Sequence, residues 1–264
     1  MLGAIIGDIV GSPYEFDDYN IKTTDFPLFS KESEITDDTI MTLAVAQGLM
    51  NGKKDHQKTY DEITKCMQKL GNEYPYMSYG CNFQSWLCSD NPKPYNSYGN
   101  GSAMRVSSVA WFFDNLEDVE KYAEISALPT HNHPEGIKGA QAVASAIFLA
   151  RCGKTKSEIK DYIVKKYNYD LSKTCDEIRP NYHHVESCQE TVPQAITAFL
   201  EGGSFEEVIR LAVSLGGDSD TLTAIAGSIA EAYYPIPDNI KQRALEFLDD
   251  DLIKIYNQFQ ELIN

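Results

Sequence analysis

The chain has 264 residues, 42% hydrophobic and 23% charged, which suits one or two self-sufficient cores and argues against disorder. Its 23 Lys and Arg against 39 Asp and Glu give a formal charge of −16. That balance argues against broad nucleic-acid binding and against docking on anionic membranes. An anionic small ligand stays open, because backbone N–H groups or metal ions can supply a local positive field.

The opening segment, MLGAIIGDIVG, predicts a helix whose Gly3, Gly7 and Gly11 fall four apart and form one smooth ridge for a close neighbour. It has no basic flank, carries Asp8 and is too short for a bilayer, so it reads as a packed core helix. Glu15 follows between Tyr14 and Phe16. Apolar neighbours raise a carboxyl's pKa and suit it to acid–base work. After the polar run 35–39, Leu43, Val45, Ala46, Leu49 and Met50 give a helical stripe, and a further helix is expected at 55–70. Residues 72–100, rich in Tyr, Asn, Pro and Gly, read as a long functional loop with a short helix near Phe83–Cys88. Beyond the apolar stretch 106–113, helices are expected at 117–128, 140–150, 156–167, 190–201, 204–215, 222–232 and 238–263. The last is broken near Asp249-Asp250-Asp251. Strand-like alternation is almost absent. Six scattered cysteines form no Cys-x-x-Cys pair and read as reduced core thiols of a cytoplasmic protein. Cys175, His183, His184 and Cys188 fit no standard zinc spacing. The economical reading is one all-α domain over 1–264.

Chemistry collects in four places. In Thr36-Asp37-Asp38-Thr39, one or two residues suffice to cap a helix, but two adjacent carboxylates flanked by hydroxyls also make a dense set of hard oxygen ligands. Gly216-Gly217-Asp218-Ser219-Asp220-Thr221 repeats that theme before an apolar helix, and its glycines permit positive φ and close backbone approach. If the two clusters converge, four carboxylates repel strongly unless cations neutralise them. In Ser97-Tyr98-Gly99-Asn100-Gly101-Ser102-Ala103-Met104-Arg105, a Gly-rich turn can present several N–H groups to a phosphate, or simply enter a helix. Arg105 can reach a phosphate or make a structural ion pair. In Thr130-His131-Asn132-His133-Pro134-Glu135, Pro134 suits a first helical turn, and the histidines can bind a ligand or cap the helix.

In this order and spacing, GDIVGSPYEF at 7–16, TDDT at 36–39, SYGNGSAMR at 97–105, THNHP at 130–134, SCQETVPQAI at 187–196, GGDSDT at 216–221 and AIAGSIAEAYY at 224–234 resemble the ADP-ribosylglycohydrolase family. The resemblance implies an all-α, orthogonally packed multi-helix domain with a binuclear metal cleft holding two Mg²⁺ or Mn²⁺ ions. Thr36, Asp37 and Asp38 would ligate one ion, and Asp218, Asp220 and Thr221 would complete the pair. Glu15 matches a carboxylate that gates or assists catalysis in part of the family. Ser97, Tyr98, Gly99, Asn100, Gly101 and Ser102 match the loop that holds ADP-ribose, and His131 a histidine that contacts it. Ser219 stands where Thr is common in the family.

The activity so implied is metal-dependent hydrolysis of the glycosidic bond between ADP-ribose and an acceptor, through a transition state with oxocarbenium character. A non-catalytic ADP-ribose-binding module and a metal-dependent pyrophosphate phosphoesterase are the alternatives. The acceptor stays open among arginine, serine, poly(ADP-ribose) and O-acetyl-ADP-ribose. The net negative charge favours basic acceptor surfaces by steering, whereas the Glu15 and SYGNGSAMR segments look closer to the branch that acts on O-linkages.

Overall fold

The computed structural model describes residues 1–263. Its helices are α1 (Leu2–Gly11), α2 (Asp37–Gly52), α3 (His56–Glu73), α4 (Cys81–Leu87), α5 (Gly101–Met104), α6 (Val109–Phe112), α7 (Leu116–Ala127), α8 (Pro134–Arg151), α9 (Lys156–Tyr167), α10 (Cys175–Ile178), α11 (Cys188–Glu201), α12 (Phe205–Leu215), α13 (Ser219–Tyr233), α14 (Asp238–Leu245) and α15 (Asp250–Ile263). Among the described residues the sole β feature is an isolated bridge between Gly99 and Ser187. The all-α expectation therefore holds, and no described helix is long and apolar enough to cross a membrane.

Side-chain caps set many of the starts. Asp55, Asn115, Thr155, Thr174 and Ser204 each accept a hydrogen bond from the backbone of the helix that follows, satisfying otherwise orphaned N–H groups. The expected break near Asp249 separates α14 from α15, and Asp249 Oδ1 accepts from the backbone of Asp251 and Leu252. The apolar stretch 106–113, to which the sequence assigned no element, is not one continuous helix. Turns occupy 105–108 and only 109–112 is helical, because Ser107 and Ser108 interrupt the run with weak helix formers. The short α10 carried no periodic signal.

A continuous core runs from Met1 to Phe259. At its centre α1 and α13 touch backbone to backbone along the glycine ridge. A Cβ on Gly7 would lie 2.2 Å from the Thr223 carbonyl oxygen, and one on Gly11 would lie 2.4 Å from that of Ser219. This crossing brings Asp8, inside α1, beside the start of α13. The chain then leaves α1 through a 3₁₀ turn at Ser12–Tyr14 that carries Glu15 over the same point.

Candidate functional site

Two helix N-termini converge on one spot. Thr36 caps α2, its Oγ1 accepting from the Asp38 N–H at 3.3 Å. Asp8 holds that cap from behind. Its Oδ2 accepts from the N–H groups of Thr36 (3.0 Å) and Thr39 (3.1 Å) and from the Thr39 hydroxyl, and its Oδ1 accepts from Thr36 Oγ1 at 2.7 Å. Opposite, Gly216 and Gly217 take φ of 72° and 78°, which only glycine adopts freely. Asn20 clamps this turn, accepting from the Gly217 N–H at 2.6 Å and donating to its carbonyl at 3.1 Å. The turn presents Asp218 and Asp220 at the start of α13. Thr221 Oγ1 donates to Asp38 Oδ2 at 3.0 Å, and Asn100 Nδ2 donates to Asp218 Oδ2 at 2.7 Å. Residues some 180 positions apart in the chain are thus hydrogen-bonded to each other. Glu15, Asp218 and Asp220 each offer a carboxylate oxygen, all within 4.8 Å of one another.

The electrostatics follow from this crowding. Burial pushes the Asp8 and Asp218 carboxyls up to about 6, against the hydrogen bonds they accept. Burial, and then repulsion from Asp220, drives Asp37 and Asp38 well above the usual carboxylate range. Asp220 is raised by burial and then by Asp218. Glu15 rises to about 8, first through burial and then through Asp220.

These residues suit hard divalent cations. Their donors are carboxylate and hydroxyl oxygens, the type Mg²⁺ and Mn²⁺ prefer. Asp38 Oδ1 is buried and accepts no hydrogen bond, which is costly for a carboxylate oxygen unless a cation meets it. With the Thr36 proton committed to Asp8 Oδ1, its oxygen faces Asp220 Oδ2 at 3.4 Å with lone pairs, a pairing that a cation relieves.

The acidic floor opens into a cleft of about 500 Å³. Its walls include Ser97, Gly99, Asn100, Gly101 and His131, with Phe16, Phe83, Tyr95, Arg105, His184 and Glu186. Two members of the 97–102 loop lie elsewhere. Tyr98 is 52% exposed and packs its ring edge-on against His133, outside the cleft. Ser102 is buried, with its hydroxyl donating to the Gly136 carbonyl at 2.7 Å, a bond that ties the loop to α8. The backbone of the loop is pinned from the other side, with Asn100 N–H on the Glu186 carbonyl (2.7 Å) and Cys188 N–H on the Tyr98 carbonyl (3.0 Å). His133 caps α8 by accepting from the Glu135 N–H, and Pro134 occupies its first turn.

Residues 1–263 match the family model described as ADP-ribosylglycohydrolase. The chain belongs to the ADP-ribosylglycohydrolase family. It is 28% identical to ADP-ribosylhydrolase ARH3 of Mus musculus over 99% of this chain and 91% of that protein. It is 26% identical to ADP-ribosylarginine hydrolase Tri1 of Pseudomonas putida (strain GB-1) over 89% of this chain and 70% of that protein. A solved structure titled ADP-ribosylglycohydrolase-related protein complex shares the fold, with a TM-score of 0.71 at 22% identity over 100% of this chain and 97% of that one.

Sequence reasoning missed part of this candidate site. Asp8 reads as a lone acid in an apolar helix, and that anomaly was the available signal, since a buried carboxylate needs partners. Glu186 gave no periodic or motif signal, and His184 stood out only within a Cys/His group whose spacing fits no zinc site. His184 Nδ1 lies 3.1 Å from the Glu15 carbonyl oxygen, and its ring stacks on Phe16 at 5.7 Å.

Asp8→Ala leaves two N–H groups and two hydroxyls at the α2 cap without their acceptor. It is expected to cost about 3 kcal/mol of stability and about 10- to 100-fold in divalent-cation affinity, measured by melting and by calorimetric Mn²⁺ titration. The raised carboxyls also set a pH dependence. A carboxyl whose folded pKa exceeds its unfolded value binds more protons when folded, so stability falls as pH rises through that interval. The cation-free protein should therefore melt several degrees lower at about pH 8 than at about pH 5.5. Saturating Mg²⁺ should raise the melting temperature more at the higher pH, as scanning calorimetry in EDTA and in Mg²⁺ can determine.

Proposed function

We propose that residues 1–264 act as one ADP-ribosylglycohydrolase domain, a metal-dependent hydrolase that cuts the glycosidic bond joining ADP-ribose to an acceptor and releases free ADP-ribose. The observation that carries this reading is the convergence of Glu15, Asp37, Asp38, Asp218 and Asp220 beneath a cleft walled by Ser97, Gly99, Asn100, Gly101 and His131. Thr36, Asp37, Asp38, Asp218, Asp220 and Thr221 would hold two Mg²⁺ or Mn²⁺ ions. Such ions supply Lewis acidity and a lowered pKa for bound water. The Gly-rich loop and His131 bind the phosphate-bearing side of ADP-ribose, orienting the ribose over the acidic floor. Tyr98 would serve this loop through its backbone and Ser102 through its anchor to α8. Glu15, half-buried at the end of the floor, holds the mobile proton, which it takes from the attacking water or delivers to the departing acceptor. The six free thiols suit a reducing, cytoplasmic setting.

Glu15→Gln keeps the shape and removes the titrating proton. It is expected to lower turnover by about 10²- to 10³-fold. Cation affinity should change less than about fivefold by calorimetry. A parallel collapse of both would make Glu15 a ligand rather than the proton carrier.

The acceptor is decided by matched peptides bearing ADP-ribose on arginine or on serine, incubated with Mg²⁺, Mn²⁺ or EDTA. Cation-dependent release of free ADP-ribose from one peptide supports the glycohydrolase reading and names the linkage. AMP with a ribose phosphate product would move the activity to the pyrophosphate. Tight ADP-ribose binding without release from either peptide would move it to a binding module or a non-peptide substrate.

A further inference from the structure

Arg105 is 1% exposed and, among the described residues, makes no ion pair. A buried guanidinium without a carboxylate is costly, so its placement calls for a use. Its Nη2 donates to the carbonyl oxygens of Ser126 (3.2 Å) and Ala127 (3.5 Å) and to Thr130 Oγ1 (2.8 Å), while its Nε has no partner. Thr130 Oγ1 in turn lies 2.7 Å from His131 Nδ1. Since Arg105 can only donate, the Thr130 oxygen is its acceptor, and the hydroxyl proton is free to point at His131 Nδ1. That hydroxyl makes no other hydrogen bond among the described residues, so donation to Nδ1 is what satisfies its buried proton, and this favours the tautomer with the imidazole proton on Nε2. The Nε2 atom faces the cleft between two residues that lack side chains. A Cβ on Gly99 would come within 3.5 Å of it, and one on Gly101 within 3.4 Å.

We propose that Arg105 and Thr130 are positioning residues that lock His131 as a neutral Nε2–H donor, aimed between Gly99 and Gly101 at an anionic oxygen of the ligand. The inference rests on the ADP-ribose reading of the cleft for the identity of that oxygen, but the hydrogen-bond direction stands on the protein alone. The chain has one consequence for charge. Burial, and then the neighbouring guanidinium, holds His131 well below the usual imidazole range, which favours the neutral donor, while Arg105 supplies the fixed positive charge behind it. An acidic protein thereby offers an anion one buried cation and one oriented N–H without exposing a basic surface.

The test is a long-range ¹H–¹⁵N spectrum of the full chain, with His131 assigned by the signal missing from His131→Gln, paired with ADP-ribose titrations. The expected result is an Nε2–H tautomer for His131, unchanged between about pH 5.5 and 8. Thr130→Val should lose that signature and weaken ADP-ribose binding about tenfold, whereas Thr130→Ser, which keeps the hydroxyl, should restore both. An Nδ1–H tautomer, a His131 that becomes a cation in this range, or Thr130→Val with wild-type signature and affinity would overturn the proposal. A locked Nε2–H in a wild-type protein that does not bind ADP-ribose would uphold the hydrogen-bond chain and overturn its assignment to that ligand.

Discussion

Asp220→Ala is expected to abolish turnover, by more than about 10²-fold, while leaving the cation-free protein at least as stable as before. The two effects have one cause. Asp220 is buried among carboxylates, and it raises the proton affinity of Asp37, Asp38 and Glu15. Removing it relieves that repulsion in the absence of metal, so melting in EDTA should not fall. The same removal deletes a candidate ligand oxygen from a floor where Thr36 already faces it with lone pairs, so Mn²⁺ affinity should drop with turnover. Asp38→Ala is expected to share the loss of metal and activity, because Asp38 carries the buried oxygen that no protein donor satisfies. Calorimetric Mn²⁺ titration, melting with and without EDTA, and ADP-ribose release on the same samples check the set. An Asp220→Ala variant with bound metal and retained activity would remove Asp220 from the ligand set.

Gly7→Ala is expected to destabilise the fold by about 3 kcal/mol, a fall of about 6–12 °C in melting temperature. Helical glycine replaced by alanine ordinarily gains up to about 1 kcal/mol, so the sign is the diagnostic. Here the new methyl carbon would lie 2.2 Å from the Thr223 carbonyl oxygen and 2.4 Å from its carbon. Both are helix backbone, which cannot rotate aside as a side chain can. The helices α1 and α13 must move apart, and the functional consequence follows from what they carry. Asp8 sits on the first, and Asp218 and Asp220 sit at the start of the second. Activity should therefore fall even at temperatures where the variant remains folded. Gly153→Ala provides the control, since its Cβ meets nothing within 4 Å and its positive φ confines any cost to local strain.

Much of the scaffold was legible because each helix buries a stripe whose spacing survives in the sequence. The glycine ridge of α1 is the best case. Three small residues four apart announced a close crossing, and α13 supplies it. The stretch 106–113 shows the limit, since apolar composition alone does not distinguish a helix from a turn followed by a single helical turn. At the site, TDDT and GGDSDT offered oxygen donors by composition. That they meet depends on the α1–α13 crossing, which no local periodicity encodes. The roles within 97–102 were equally hidden. A six-residue loop presents some members to the cleft and anchors others, and the sorting of Gly99 and Asn100 from Tyr98 and Ser102 is set by bonds to 136, 186 and 188. Asp8 and Arg105 were under-read for a shared reason. Each acts through neighbours that become neighbours only in the folded chain.

On the proposed reading, the acidic floor works as a divalent-cation centre for glycosidic cleavage. The most direct measurement is the rate of ADP-ribose release by cation-stripped protein as Mn²⁺ is added back, with the products separated chromatographically. No release from the stripped protein, saturable recovery on Mn²⁺ addition and intact ADP-ribose as the product are expected. Undiminished release in excess EDTA, or AMP in place of ADP-ribose, would contradict that reading.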